Sequence, residues 1–170
     1  VSKISSAGIT LYMLVGNHDA YYKDNIETNS IIAFNDIPNI HVISTHTEVD
    51  FNGNSMMLVP WDEDKKVSGK YDVMLGHFEF AGGAFNNSMV CKHGISGAEL
   101  TKVAPLVFSG HFHLRKEYPY KSGKIVTVGC PLHLDWGDYG DDKGIYTLDD
   151  KLEYEFIENT VSPRYVKVKV

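Results

Sequence analysis

Short apolar runs that stop at glycine, turn signals at close intervals and few helix-like stretches predict an α/β protein of two stacked mixed β-sheets flanked by helices. The clearest runs are residues 9–15, 71–75 and 106–109, which hand over to Gly16, Gly76 and Gly110. A short, nearly continuous apolar run bounded by turn residues reads as a strand buried on both faces. At 170 residues with an apolar share of 43%, the chain is sized for one domain, 1–170, with a real core.

In chain order, residues 1–8 read as the end of a helix with Gly8 as its cap, and the strand 9–15 follows almost at once. With Val1 in place of a methionine, this gives the expectation that the chain starts inside a domain and is N-terminally incomplete. Residues 20–25 read as a polar, tyrosine-bearing loop. Residues 28–36 read as a helix with Ile31, Ile32 and Phe34 on its inner face and Pro38 beyond its end. A strand is expected at 39–44. Residues 48–51 and 55–59 form a hairpin about Asn52-Gly53, a strong type I′ signal. Pro60-Trp61 closes it, and 62–66 is a solvated run of mixed charge.

After the strand at 71–75, the glycine- and asparagine-rich stretch 80–89 reads as a mobile loop. Residues 96–104 fit a short helix limited by Pro105. The strand 106–109 comes next, then a hairpin of 115–120 and 124–128 around Ser122-Gly123. Strands at 144–148, 152–157 and 165–170 complete the chain, with Asp149-Asp150 as a turn. The last alternates tyrosine and lysine with valine, a half-buried pattern.

The net charge of -6 argues against a basic, nucleic-acid-coating surface, although metal ions can supply a local positive field. Cys91 and Cys130 lack CxxC spacing, form no disulfide framework and fit a reducing cytoplasm, where they pack as small apolar groups. No apolar run approaches the ~20 residues that span a bilayer, so no membrane association is expected.

Three polar stretches follow the buried runs: Gly16-Asn17-His18-Asp19, Gly76-His77 and Gly110-His111-Phe112-His113. Strand ends of an open α/β sheet gather along one edge, where ligands bind. Amide and imidazole donors converging there suit a divalent transition metal. In their order and spacing, these stretches resemble the third, fourth and fifth motifs of the calcineurin-like metallophosphoesterases, over residues 9–149. Pro60-Trp61, Gly76-His77-Phe78-Glu79, and Val128-Gly129-Cys130-Pro131 followed by Gly137-Asp138 are similar to SbcD-type DNA repair nucleases, above all those that phages use in recombination.

The resemblance implies a four-layer sandwich and two divalent metal ions, Mn2+ foremost, with Mg2+, Zn2+ or Fe2+ as alternatives. It assigns Asn17, His77 and His111 to the second metal and His113 to the first. His18 would meet the phosphate and protonate the leaving oxygen, with Asp19 orienting its ring; a pKa near neutrality suits histidine to this work. The implied activity is exonucleolytic and endonucleolytic cleavage of DNA, in partnership with an SbcC-type ATPase, in a bacterial or phage-infected cytoplasm. A phosphatase or cyclic-nucleotide phosphodiesterase on the same scaffold, and a non-catalytic interaction domain, are the alternatives.

The family's first two motifs, DxH and GDxxD, should precede Gly16 and do not. They would supply most of the first metal's ligands and the bridging carboxylate, so this polypeptide is expected to be poorly active. The missing βα units would leave a sheet edge open, which invites a homodimer, and no capping domain is expected within 1–170. His41, His46, His93 and His133 lack motif context and read as non-ligands. Asp135, Asp138, Asp141 and Asp142 read as a solvated acidic loop. Lys65, Lys66, Arg115, Lys116 and Lys121 read as scattered surface charge.

Overall fold

The computed structural model describes residues 1–22, 25–61, 67–86 and 88–168. Helix α1 (Ser2–Ser6) ends ahead of Gly8, whose φ of +71° is the left-handed conformation that glycine adopts past helix ends. Strand β1 (Leu11–Leu14) follows. The sequence reads it as buried, yet it is largely half-exposed, and only Val15 at its end is fully enclosed. The reason is pairing: among the described residues β1 has a strand on one side alone.

The loop expected at 20–25 and the start of the helix expected at 28–36 are instead a hairpin, β2 (Ala20–Tyr22) and β3 (Asn25–Asn29). The buried Asn29 side chain donates to Ile26 O at 2.8 Å and accepts from Ile31 N at 3.2 Å. Such local bonds draw the backbone into a turn at the helix's expense. What remains is a 3-10 turn, Ile32–Asp36, with no buried residue, so Ile31, Ile32 and Phe34 make no inner face.

Strand β4 (Ile40–Ile43) pairs in parallel with β1, Leu11 beside Ile40. Strands β5 (Thr47–Phe51) and β6 (Asn54–Val59) form the expected hairpin, with positive φ at both Asn52 and Gly53 as a type I′ turn requires. The run 62–66, with Lys65 and Lys66, lies outside the described residues. Strand β7 (Val73–Gly76) lies parallel to β6.

The stretch expected as a mobile loop at 80–89 is anchored through the buried Phe80, Gly83 and Ala84, while residues 81, 82, 86, 88 and 89 are exposed. Strand β8 (Phe80–Ala81) pairs with β9 (Ile95–Ser96), Ala84 bridges to Val90, and Ala84 N donates to the Tyr118 hydroxyl at 2.8 Å. Phe80 is fully buried against Phe112, so its aromatic anchor overrides the glycines. Helix α2 (Gly97–Val103) leads to β10 (Leu106–Ser109), then to the hairpin β11 (Lys116–Tyr120) and β12 (Gly123–Thr127). Strands β13 (Gly144–Leu148) and β14 (Tyr154–Glu158) form the last hairpin, its turn held by Asp149.

The strand expected at 165–170 is absent over the described 165–168. Tyr165 stacks against Trp136 and His133, and Lys167 lies over Tyr139. These contacts hold the segment on a loop where no ladder is available, and Val168 is 78% exposed.

The main sheet runs in the order β11-β12-β10-β7-β6-β5, and its four inner strands are mutually parallel. Both faces of a parallel sheet must be covered. On one face Met57, Val59, Met74, Val107 and Ile125 pack under Leu100 and Ala104 at α2. On the other, Met56, Leu58, Val73, Phe108 and Val126 meet Ile43 and Leu14 of the β1–β4 pair and Tyr146, Leu148 and Tyr154 of the last hairpin. The result is the stacked, sandwich-like α/β fold. Its register aligns Val59, Gly76, Ser109 and Thr127 in one row, so the segments that follow them emerge along a single edge. No helix is long and apolar enough to cross a membrane.

Candidate active site

The turn after β1 is tied by its own aspartate. Gly16 N donates to Asp19 Oδ2 at 2.8 Å, and Ser30 Oγ donates to Asp19 Oδ1 at 3.4 Å. The carboxylate expected to orient the His18 ring is therefore spent on shaping the turn that presents Asn17 and His18. A side chain at position 16 would come within 3.0 Å of the His77 ring, which only glycine avoids. The turn docks on the main sheet because Trp61 N donates to Val15 O at 2.8 Å.

Asn17 Oδ1 lies 2.9 Å from His77 Nε2, across the joint between the layers. His77 and His111 meet edge to face with ring centroids 5.5 Å apart. Trp61 stacks on His111 at 5.0 Å, and Phe85 meets it at 5.9 Å. Asn17, His18, His77, His111 and His113 line one pocket of about 320 Å3, together with Phe85, Gly129, Cys130 and Pro131. The structure thus brings together the polar residues that the three motifs single out, with Asp19 behind them.

Burial, reinforced by the neighbouring His111, pushes the His77 imidazole down to about 4. Burial also lowers His111, against the opposing pull of the Glu79 carboxylate. His77 is therefore neutral near pH 7, which leaves a nitrogen lone pair for a metal. A larger apolar cleft of about 490 Å3, between the main sheet and β13, carries none of these groups.

Two parts of the surroundings receive no role from the motifs, although Glu79 stands within one of them. Glu79 Oε1 lies 3.2 Å from His111 Nε2, so a carboxylate orients this ring. The signal was alternation: Phe78 turns into the core, so positions 77 and 79 face the same way. The second is the acidic loop, which is solvated at Asp135 and Asp142 as expected but at Asp138 and Asp141 closes around a lysine. Lys143 Nζ, 3% exposed, donates to Asp138 at 2.6 Å, to Asp141 at 3.3 Å and to His113 O at 3.0 Å. Burial alone would raise Asp138, but Lys143 and the amides of Leu134 and Asp135 hold its carboxyl below the usual range. Residues 137–141 happen to spell GDxxD, yet their carboxylates serve Lys143. Asp142 stays at the surface beside Arg115, 3.4 Å away. Cys91 and Cys130 are both buried, as small apolar groups should be.

No protein-family model matches the chain. It is 33% identical over 174 residues to exonuclease subunit 1 of Enterobacteria phage T4, a match that takes in 95% of this chain and 49% of the phage protein. The chain spans about half the length of that relative.

Proposed function

From its likeness to a phage exonuclease subunit, we propose that the chain is part of the catalytic domain of a metal-dependent nuclease that hydrolyses DNA phosphodiesters by a two-metal mechanism. The observation that carries the reading is the meeting of Asn17 and His77 at 2.9 Å in a pocket shared with His18, His111 and His113. The donors fit the group. Amide oxygen with neutral imidazole suits Mn2+ and its neighbours.

Asn17, His77 and His111 would hold the second metal, and His113 would belong to the first. The Glu79 carboxylate faces the His111 ring, 3.2 Å from its Nε2. Bound there, a divalent pair lowers the pKa of water and steadies charge on the phosphate. His18 stands in the pocket without being a ligand and donates its proton to the leaving oxygen. Asp19 fixes where His18 stands by closing the turn. Trp61 and Phe85 wall the His111 side against water.

With neither DxH nor GDxxD ahead of Gly16, His113 stands without the first metal's other ligands and without the bridging carboxylate. The 170 residues alone are accordingly poorly active, and a polypeptide that carries both motifs is the nuclease. DNA is the substrate and an SbcC-type ATPase the partner. The test is hydrolysis in Mn2+ of a DNA duplex, bis(p-nitrophenyl) phosphate and p-nitrophenyl phosphate, by both polypeptides. Cleavage of DNA and diester by the longer one alone supports the proposal. Preference for the monoester makes the protein a phosphatase, and robust turnover by the 170 residues removes the claim of impairment.

A further inference from the structure

We infer that Glu79, Cys91 and His93 form a separate, thiolate-bearing site for a zinc-class ion beside the pocket. Their donor atoms all lie within 4.8 Å of one another. Cys91 Sγ is 3.6 Å from His93 Nδ1, and His93 Nδ1 is 3.1 Å from Glu79 Oε2. A tetrahedral ion with Zn–S of about 2.3 Å and Zn–N or Zn–O of about 2.0–2.1 Å separates sulfur from nitrogen by about 3.6 Å, and nitrogen from oxygen by about 3.3 Å. The first spacing is met as the side chains stand, and the second within a few tenths of an ångström.

The surroundings suit such an ion. Cys91 is anchored on both sides, its N donating to Gly83 O at 2.7 Å and its O accepting from Gly82 N at 2.9 Å. His93 is 74% exposed at its side chain, which leaves a path for the ion and a fourth position for water. Without an ion, Cys91 points its thiol at His93 O, 3.2 Å away. On binding, the ion replaces the thiol proton, which passes to solvent. A sulfur, an imidazole and a single carboxylate favour Zn2+ or Co2+ over the harder Mn2+ and Mg2+. The site stands whether or not the neighbouring pocket is a nuclease centre. It also reaches that pocket, because the other oxygen of Glu79 contacts His111. An ion here pins the 82–93 stretch to the residue that orients His111.

The experiment is a Co2+ titration of the reduced protein, followed by absorption. One equivalent should give a thiolate-to-cobalt charge-transfer band that Zn2+ abolishes. Cys91→Ser should remove the band, and His93→Ala should weaken Co2+ binding at least about tenfold. Cys130→Ser and His77→Ala should leave the band in place. Since His93 is exposed, its variant keeps the test available even where Cys91→Ser fails to fold. Absence of a thiolate band, its survival in Cys91→Ser, an undiminished Co2+ affinity in His93→Ala, or loss of the band in Cys130→Ser overturns the assignment.

Discussion

Replacing Asp138 by alanine removes the 2.6 Å partner of a lysine that is almost wholly enclosed. Breaking a buried ion pair from one side costs about 3–5 kcal/mol, because the surviving charge stays out of water. Here Asp141 remains 3.3 Å from the ammonium, which places the expected loss at the lower end, about 3 kcal/mol. The amides of Leu134 and Asp135 lose their acceptor as well. For a chain of this size, about 3 kcal/mol lowers Tm by roughly 6–12 °C. Urea denaturation of Asp138→Ala measures it. The double variant Asp138→Leu/Lys143→Met, which leaves no charge stranded, should recover much of the loss. Because Asp138 is held below the usual carboxylate range, its contribution is complete above that range and fades as pH falls further toward the folded value. Asp138→Asn should therefore flatten the acid limb of the stability curve. A loss under about 1 kcal/mol, or a double variant no more stable than Asp138→Ala, would refute the reasoning.

His77, lowered to about 4 from 6.5, takes up its proton later in the folded than in the unfolded chain. Stability should then decline as pH drops from 6.5 towards 4, by no more than about 3 kcal/mol, and His77→Gln should lose that slope in urea titrations. In a polypeptide carrying the DxH and GDxxD motifs, His18→Asn should abolish DNA cleavage while calorimetry still registers Mn2+; loss of the metal would make His18 a ligand. The edge of β1 that no strand among the described residues covers should support self-association at high concentration, and a monomer throughout the range by light scattering would count against it.

The central strands were legible because burial on both faces writes itself as an unbroken apolar run. Residues 106–109 match β10 end to end, and Asn52-Gly53 named its turn through backbone chemistry alone. The pocket was legible for a related reason: parallel strands in register must deliver His77 and His111 to the same edge. What escaped depends on contacts remote in sequence. Nothing near Lys143 announces that it will be enclosed by Asp138 and Asp141. The valines of 165–168 alternate as a strand does, but no neighbour offers them a ladder. Asn29 looked like an ordinary helix residue until its side chain took the backbone bonds of a turn.

The bond from Trp61 to Val15 and the approach of Asn17 to His77 cross the same seam. A slip of one residue between the layers, about 3.3 Å, would part Asn17 from His77 altogether. An ion bound by both, as proposed, would act as a rivet. At a hundred times its dissociation constant it would add about 2.7 kcal/mol to the work of prising the layers apart. Thermal melting with and without Mn2+ reads how firmly the two halves are fastened, without recourse to a turnover assay.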